Sequence, residues 1–142
     1  MTNTETKPTK HVGSCHCGDV RFEAVVDASF GTQCNCTICQ KTHVIGASIK
    51  PEAFTLLSDP DKTGTYAFGP VGIRHFCKRC GIHVYGTGDL PQLGGKFVSV
   101  YLNVLDDVDL STVKVAYWDG RHNNWQAGMR DSRWPTATPA SA

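Results

Sequence analysis

The sequence predicts a mainly β domain with few or no helices. Apolar and polar residues alternate in several segments, which is the pattern of strands that bury one face. Groups of Gly, Pro, Asp and Ser separate these segments, as expected of turns between short strands. No segment has the apolar spacing of an amphipathic helix of three turns. The 142 residues, of which 40% are hydrophobic and 19% charged, fit one globular domain.

The alternation is clearest in three segments, which are Val20–Asp27, Lys96–Asn103 and Thr112–Trp118. Shorter apolar segments predict five further strands: His43–Ile49, Phe54–Ser58, Thr65–Phe68, Ile73–Phe76 and Ile82–Tyr85. Turn residues predict chain reversals at five places: Ser58–Asp61, Gly69–Pro70, Gly86–Gly88, Gly94–Gly95 and Asp119–Gly120. One segment, Thr37–His43, could form a single helical turn.

The two ends of the chain are polar and carry no strand pattern. We expect residues 1–10 to be disordered and residues 130–142, rich in Pro, Ser, Thr and Ala, to form a flexible tail. The folded domain is then 11–129. The first ten residues contain no apolar run, which predicts no signal peptide, and no segment approaches the roughly 18 apolar residues of a membrane helix. A cytoplasmic location with reduced thiols is the resulting expectation.

Seven cysteines lie in three tight clusters: Cys15 and Cys17; Cys34, Cys36 and Cys39; Cys77 and Cys80. Four thiolates close a tetrahedral structural zinc site, whereas three leave one position open for a substrate. The count of seven therefore suggests two Zn²⁺ sites, one Cys₄ site that holds the fold and one Cys₃ site with an open position. The odd count and the missing signal peptide disfavour a disulfide framework.

The spacing within two of the clusters suits metal binding. Cys15 and Cys17, at i and i+2, share one face of an extended strand, and a slight curl brings their sulfurs to the roughly 3.7 Å that a tetrahedral zinc requires. Cys77 and Cys80 form a C-x-x-C turn that Gly81 can end with a positive φ. A zinc that joins these distant pairs would staple the sheet, which is a plausible stabiliser of a small β domain.

The remaining cluster, Cys34, Cys36 and Cys39, places three ligands within six residues. His43 is the nearest candidate for a fourth ligand, and it would convert the open site into a closed, structural Cys₃His site. Other pairings of the three clusters also remain open. A redox role for the C-x-x-C pairs is disfavoured because the βαβ setting of thioredoxin-like motifs is absent.

The charge balance gives no reason to expect nucleic acid or an anionic membrane as a partner. The formal net charge is +1, and thiolates bound to zinc would make it slightly negative. The remaining histidines are expected to be surface, loop or core residues rather than ligands: His11, His16, His75, His83 and His122.

Several segments resemble the glutathione-dependent formaldehyde-activating enzyme family, to which centromere protein V also belongs. The similar segments are, in chain order, Gly13–Phe22, Cys34–Cys39, Phe54–Ser58, Phe76–Ile82 and Val98–Asp106. The resemblance extends from about Gly13 to Trp125, which is most of the chain. The loop Gln40–His43 is more similar to the centromere protein V branch than to the founding enzyme.

The resemblance implies a β-tent (Mss4-like) fold that is stapled by a structural zinc. It implies that Cys15, Cys17, Cys77 and Cys80 bind this structural zinc and that Cys34, Cys36 and Cys39 bind a catalytic one. It further implies a carbon–sulfur lyase that adds a thiol such as glutathione to formaldehyde or another small aldehyde, with S-hydroxymethylglutathione as the product of the founding reaction.

These expectations lead to a hypothesis for the chemistry. A substrate thiol would take the open zinc position and attack the aldehyde carbonyl. The oxygen would then be protonated by a nearby donor, for which the candidates are Lys41, Thr42, His43 and Tyr101. Glutathione carries two carboxylates, for which the candidate partners are Arg74, Lys96 and Arg121. The competing hypothesis is a non-catalytic module with two structural zincs that binds a protein partner.

Overall fold

A computed structural model describes residues 8–67, 69 and 72–136. These residues form ten strands and one α-helix, joined by turns and short 3₁₀ segments. The strands are β1 (Thr9–Ser14), β2 (Arg21–Val26), β3 (Phe30–Cys34), β4 (Gly46–Ile49), β5 (Phe54–Leu56), β6 (Thr63–Ala67), β7 (Gly72–Cys77), β8 (His83–Leu90), β9 (Gly95–Tyr101) and β10 (Lys114–Trp118). The helix, α1 (Thr37–Thr42), lies between β3 and β4.

The strands form two sheets. The smaller sheet has the order β1-β2-β5, and the larger sheet has the order β10-β3-β4-β9-β8-β7-β6. Neighbouring strands are antiparallel except for β10 and β3, which run parallel. The parallel pair joins a strand from the start of the chain to one near its end, and this pairing brings residues after Trp118 close to those after Cys34.

The hydrophobic core lies between the two sheets. Strand β2 buries Phe22, Ala24 and Val26, which alternate with more exposed residues as the sequence predicts. The Phe22 ring lies 5.1 Å from the ring of Phe54 and 6.0 Å from that of Tyr85, between centroids. Burial of a side chain of this size stabilises the fold by roughly 1.5–3 kcal/mol. The two sheets are therefore held together by apolar contacts as well as by any bound metal.

The mainly β class is confirmed, and each predicted strand overlaps an observed one. The turn predicted at Gly86–Gly88 is wrong, because these residues lie inside β8 and pair with β7 and β9. A side chain at Gly86 would approach the Tyr101 hydroxyl to 2.9 Å, so the glycine makes room for a neighbouring side chain. Strands β1 and β3 were not predicted. Phe68 and Pro70, which the predictions included, lie outside the described residues.

The ends of the described chain differ from the expected boundaries. Strand β1 begins at Thr9, inside the segment predicted to be disordered, and residues 1–7 lie outside the described residues. At the other end, Arg130 forms a β-bridge with Tyr117. The indole Nε1 of Trp134 donates to the Tyr117 carbonyl at 2.8 Å, and the Arg130 guanidinium lies 3.8 Å from the centre of the Trp134 ring. The first part of the predicted tail thus packs on β10.

Helical structure is limited in this fold. The α-helix has six residues, which confirms the short helical turn expected before His43. Among the described residues, no helix combines the length and apolarity needed to cross a bilayer.

Candidate functional site

One group of cysteines joins two distant parts of the chain. Cys15 and Cys17 follow β1, Cys77 ends β7, and Cys80 lies in the turn before β8. The Sγ atoms of Cys15 and Cys17 are 3.7 Å apart, those of Cys17 and Cys77 are 3.6 Å apart, and all four lie within 4.8 Å of one another. Tetrahedral zinc with thiolate ligands requires sulfur separations of roughly 3.7 Å. This four-cysteine group could hold a metal ion.

Backbone amides surround the four-cysteine group. The Val20 N–H donates to Cys15 Sγ at 3.3 Å, and the N–H groups of Arg79 and Cys80 donate to Cys77 Sγ at 3.3 and 3.4 Å. Amide donors directed at sulfur favour the thiolate form that metals bind. The turn after Cys80 is completed by Gly81 at φ 80°, a left-handed conformation that favours glycine.

The other group consists of Cys34, Cys36 and Cys39. Cys34 ends β3, Cys36 is the N-cap of α1, and Cys39 lies in that helix. Their sulfur atoms lie within 4.8 Å of one another, and all three residues are half-buried. This three-cysteine group could also hold a metal ion. Within the described ranges, no histidine, aspartate or glutamate completes the set.

His43 has a different role from the ligand role considered above. Its backbone N–H donates to the Cys39 carbonyl at 2.8 Å, and its φ of 60° ends α1 in the left-handed conformation. Its carbonyl accepts a hydrogen bond of 3.2 Å from the Gln33 side chain. The residue therefore caps the helix that carries Cys39, and it is not a member of the three-cysteine group.

The three thiols share protons unevenly when no metal balances their charge. Hydrogen bonds with Cys34 and Cys39 lower the pKa of the Cys36 thiol to about 2. Hydrogen bonds with Cys34, the main cause, and with Cys36 raise the pKa of the Cys39 thiol. The hydrogen bond with Cys36 raises the pKa of the Cys34 thiol. One of the three thiols therefore ionises easily, whereas ionisation of the other two requires a nearby cation.

Arg74 and Tyr101 form a polar pair beside the three-cysteine group. The Arg74 Nη2 donates to Cys39 Sγ at 3.1 Å, and its Nη1 donates to the Tyr101 hydroxyl at 3.1 Å. Arg74 lies on β7 and Tyr101 ends β9, and Gly86 of β8, which lies between these strands, leaves the space that the hydroxyl occupies. Burial raises the pKa of the Tyr101 phenol, so it remains a proton-bearing donor at neutral pH.

A segment near the end of the chain holds the loop between Cys34 and Cys36. The Asn35 amide donates to Asp119 Oδ1 at 2.8 Å, and the Arg121 N–H donates to the Asn35 side-chain oxygen at 2.9 Å. Asp119 is buried, with 4% of its surface exposed. A side chain on Gly120 would collide with Cys34 Sγ, so this position requires glycine.

The sequence predicted a turn at Asp119–Gly120 and no functional role for Asp119 or Asn35. No local pattern marks a contact between residues that are 84 positions apart. The contact depends on the parallel pairing of β10 with β3, which places Asp119 directly after Trp118, the partner of Cys34. Parallel pairing between distant strands cannot be inferred from alternation alone.

Clefts of different character adjoin the three-cysteine group. One, of about 400 Å³, lies beside Cys34, Cys39, Arg74 and Tyr101 and is called the arginine cleft below. A second, of about 550 Å³, is lined by Cys36, Thr37, Ile38, Lys41, Tyr66, Gly120 and Arg121 and is called the cationic cleft. A third, of about 290 Å³, has walls formed by Trp118 and Trp134 and also contacts His43.

The structure separates the proton donors and cations proposed from the sequence. Arg74, Tyr101, Lys41 and Arg121 line clefts that adjoin the three-cysteine group. The Thr42 hydroxyl instead donates to the Ile38 carbonyl at 2.8 Å within the helix. Lys96 pairs with Asp89 near the start of β9, whereas Tyr101 ends that strand. Thr42 and Lys96 are therefore the weaker candidates.

Comparisons with known proteins agree with this arrangement. A family model described as "Glutathione-dependent formaldehyde-activating enzyme" matches residues 10–121. A Halomonas elongata protein, whose assignment as a glutathione-dependent formaldehyde-activating enzyme is provisional, is 37% identical over 78 residues. That alignment covers 48% of this chain and 50% of the relative, so the match spans half of the relative's length.

The fold also resembles a solved structure. A crystal structure of a Rhodobacter sphaeroides protein superposes with a TM-score of 0.64 at 22% sequence identity. The superposition covers 75% of this chain and 99% of that protein, which shows that the two share a fold. Because the family model spans both cysteine groups and most of the chain between its ends, this chain belongs to the glutathione-dependent formaldehyde-activating enzyme family.

Proposed function

We propose that the protein is a zinc-dependent carbon–sulfur lyase that adds a thiol such as glutathione to formaldehyde or another small aldehyde. The observation that carries this proposal is the three-cysteine group, which offers three sulfur ligands beside open clefts. A closed structural site would be expected to have a fourth protein ligand, and none of the described residues supplies one. Membership of the family supports the same reaction.

The donor atoms of both cysteine groups fit zinc. Sulfur-only ligand sets suit tetrahedral Zn²⁺ better than oxygen-preferring metals such as Mg²⁺ or Ca²⁺. Two sulfur separations in the four-cysteine group are 3.6 and 3.7 Å, and the sulfurs of the three-cysteine group lie within 4.8 Å of one another. In this proposal Cys15, Cys17, Cys77 and Cys80 hold a structural zinc, and Cys34, Cys36 and Cys39 hold the catalytic one. A zinc on three thiolates would supply a position at which a substrate sulfur remains a thiolate at neutral pH.

Arg74 and Tyr101 are placed to act on the aldehyde. During addition, the sulfur electron pair forms the C–S bond, the π pair of the carbonyl moves to oxygen, and oxygen takes one proton while the thiol releases one. The Tyr101 hydroxyl, which accepts from Arg74, can direct its own hydrogen at this oxygen. The Arg74 charge favours negative charge that develops there, and one such donor contributes roughly 10²- to 10³-fold in rate.

The cationic cleft suits the thiol substrate. Lys41 and Arg121 line it beside Cys36, and glutathione has two carboxylates to pair with such side chains. Arg121 is held in place, because its Nε donates to the Asn35 carbonyl at 3.0 Å and its Nη2 to Gln40 Oε1 at 2.6 Å. A positioned guanidinium loses little freedom on binding a carboxylate. The proposal places the protein in the cytoplasm, where thiols stay reduced.

Two-dimensional NMR exchange spectroscopy tests the proposal on a formaldehyde and glutathione mixture with stoichiometrically zinc-loaded protein. We expect faster exchange between free glutathione and its hydroxymethyl adduct, and loss of this acceleration in Cys36→Ser. Lys96→Gln, which removes a cation that lines none of the clefts described above, serves as the matched control and should retain the acceleration. The proposal would be contradicted if the protein bound one zinc, if an alkylating reagent modified Cys34, Cys36 and Cys39 completely, and if the exchange were not accelerated.

A further inference from the structure

We propose that the arginine cleft binds the substituent of the aldehyde, and that the preferred aldehyde is larger and more apolar than formaldehyde. This inference rests on the proposed function, because it names the aldehyde class that the same site would accept.

The floor of the arginine cleft follows from strand register. Tyr101, Ser99 and Phe97 alternate along one face of β9, so the Phe97 side chain begins about 13 Å from that of Tyr101. On β8 and β7 the matching positions include Gly86 and Gly72, which carry no side chain. The missing side chains leave a trough that runs along the sheet from the three-cysteine group to Phe97.

The charged group of the trough lies at one end. Residues with hydroxyl side chains also line it: Thr32, Thr87 and Ser99. The guanidinium of Arg74 and the hydroxyl of Tyr101 lie at the end next to Cys39. Val44 and Phe97 contribute apolar walls. Of the described residues that line this cleft, Arg74 is the one with a charged side chain. A ligand with one polar atom and an apolar chain would match this distribution, which is the composition of an aliphatic or aromatic aldehyde.

The volume of the trough far exceeds what formaldehyde requires. A water molecule takes roughly 30 Å³, and formaldehyde has two heavy atoms, so it would need only about 60 Å³ of the space. The cleft measures about 400 Å³. An aldehyde with six to nine heavy atoms would cover the apolar walls and gain burial energy that formaldehyde cannot.

Glutathione is a poor occupant of the same space. Its two carboxylates and its ammonium group would lose hydration against apolar walls without enough partners there. The cationic cleft on the Cys36 side offers Lys41 and Arg121 for those carboxylates. The two substrates would therefore approach the three-cysteine group from different sides, with the aldehyde oxygen toward Arg74 and Tyr101.

Gly72→Val tests the inference by filling the trough. A Cβ at position 72 would meet its nearest neighbour, the Thr87 carbonyl, at 3.5 Å, an ordinary contact, so the variant should fold. Thr65→Val on β6 adds the same side chain at an exposed strand position outside the clefts described above and is the control. Exchange spectroscopy on zinc-loaded protein with glutathione would compare hexanal with formaldehyde.

We expect a KM for hexanal at least tenfold below that for formaldehyde, because several CH₂ groups are buried. Gly72→Val should lower the ratio of hexanal to formaldehyde activity about tenfold, and Thr65→Val should leave this ratio unchanged. If the protein accelerates the reaction of formaldehyde but not that of hexanal, or if Gly72→Val leaves the ratio of hexanal to formaldehyde activity unchanged, the inference is wrong while the proposed function stands. If the protein accelerates the reaction of neither aldehyde, both the inference and the proposed function are wrong.

A binding measurement checks the same cleft independently of turnover. In the zinc-loaded protein, 1-hexanol, which cannot react, should shift the backbone amide resonances of Gly72, Gly86 and Ser99, and Gly72→Val should reduce these shifts. Shifts that cluster instead beside Lys41 and Arg121, or an absence of saturable shifts, would overturn the assignment of the arginine cleft.

Discussion

The two cysteine groups use the same side chain, and they differ in what the fold places around it. The four-cysteine group joins segments about 60 residues apart, and two of its members, Cys15 and Cys77, are buried. The three-cysteine group lies within six residues, is half-buried throughout, and adjoins clefts with charged and polar walls. In the proposed function, identical ligands serve stability or chemistry according to chain separation, burial and access.

The largest expected effect is on stability, and it should separate the two groups. Cys80→Ser should destabilise the zinc-loaded protein by about 3 kcal/mol or more, because a metal bound to distant segments contributes to folding. This corresponds to a fall in Tm of roughly 10 °C. Cys36→Ser, the matched substitution in the other group, should change Tm by a few degrees at most. Thermal denaturation followed by circular dichroism measures both, and equal losses would contradict the division into a structural and a functional group.

Metal removal should distinguish the groups in the same order. A chelator titrated into protein loaded with zinc at both cysteine groups should first remove the metal from the half-buried three-cysteine group, with the fold intact. Iodoacetamide would then label Cys34, Cys36 and Cys39, while Cys15 and Cys77 stay protected by burial. Mass spectrometry of peptides reports the labelled positions. Simultaneous labelling of all seven cysteines at one chelator concentration would show that the two sites do not behave separately.

Arg74→Gln should lower the rate of thiol addition about 100-fold with little change in Tm, because in the proposed mechanism the guanidinium stabilises negative charge on the aldehyde oxygen. Its observed contacts are with Cys39 and Tyr101. Arg74→Lys should recover part of this loss, since it keeps the charge but loses the two-pronged contact with Cys39 and Tyr101. Lys96→Gln is the control for loss of a cation. If Arg74→Gln retained full activity, the role of Arg74 in the proposed mechanism would be wrong.

Asp119→Asn should have the smallest effect, a roughly tenfold loss of zinc affinity at the three-cysteine group. The change weakens acceptance of the Asn35 amide hydrogen bond that positions the loop between Cys34 and Cys36. Asp109→Asn makes the same substitution in an exposed turn, where the Asp109 carboxylate accepts a hydrogen bond from the Ser111 N–H. This variant should leave zinc affinity unaltered. Competition with a chromophoric chelator measures both affinities. If the two variants bound zinc with equal affinity, Asp119 would not contribute to zinc binding at the three-cysteine group.

The sequence predicts well those features that depend on local spacing. The alternation in β2 and β9 results from one buried face, and the three-cysteine group lies within six residues of the chain. Spacing alone left the pairing of Cys15 and Cys17 with Cys77 and Cys80 open, and the family resemblance implied it. The pairing of Arg74 with Tyr101 could not be predicted, although each residue was a candidate, because it depends on the register of β7, β8 and β9.

Strand β3 shows why the remaining features were missed. Its sequence contains Gly31, which is unfavourable for a strand by propensity, and the polar Gln33. In the fold, a side chain at Gly31 would contact Ile45 and Leu102 at less than 3 Å, so the glycine admits neighbours rather than forming a turn. Gln33 is buried, and its side-chain amide donates a hydrogen bond to the His43 carbonyl. Tertiary contacts of this kind override local propensity.

The contact between Asn35 and Asp119 has a consequence for the order in which the protein is assembled. During synthesis, all four sulfurs of the four-cysteine group are available once Cys80 has left the ribosome. The loop that carries Cys34 and Cys36 lacks its buried carboxylate partner until Asp119 emerges, about 40 residues later. At ordinary translation rates this delay is on the order of a few seconds. If the four-cysteine group binds zinc as proposed, the nascent chain can load this metal before the three-cysteine group has its full set of contacts.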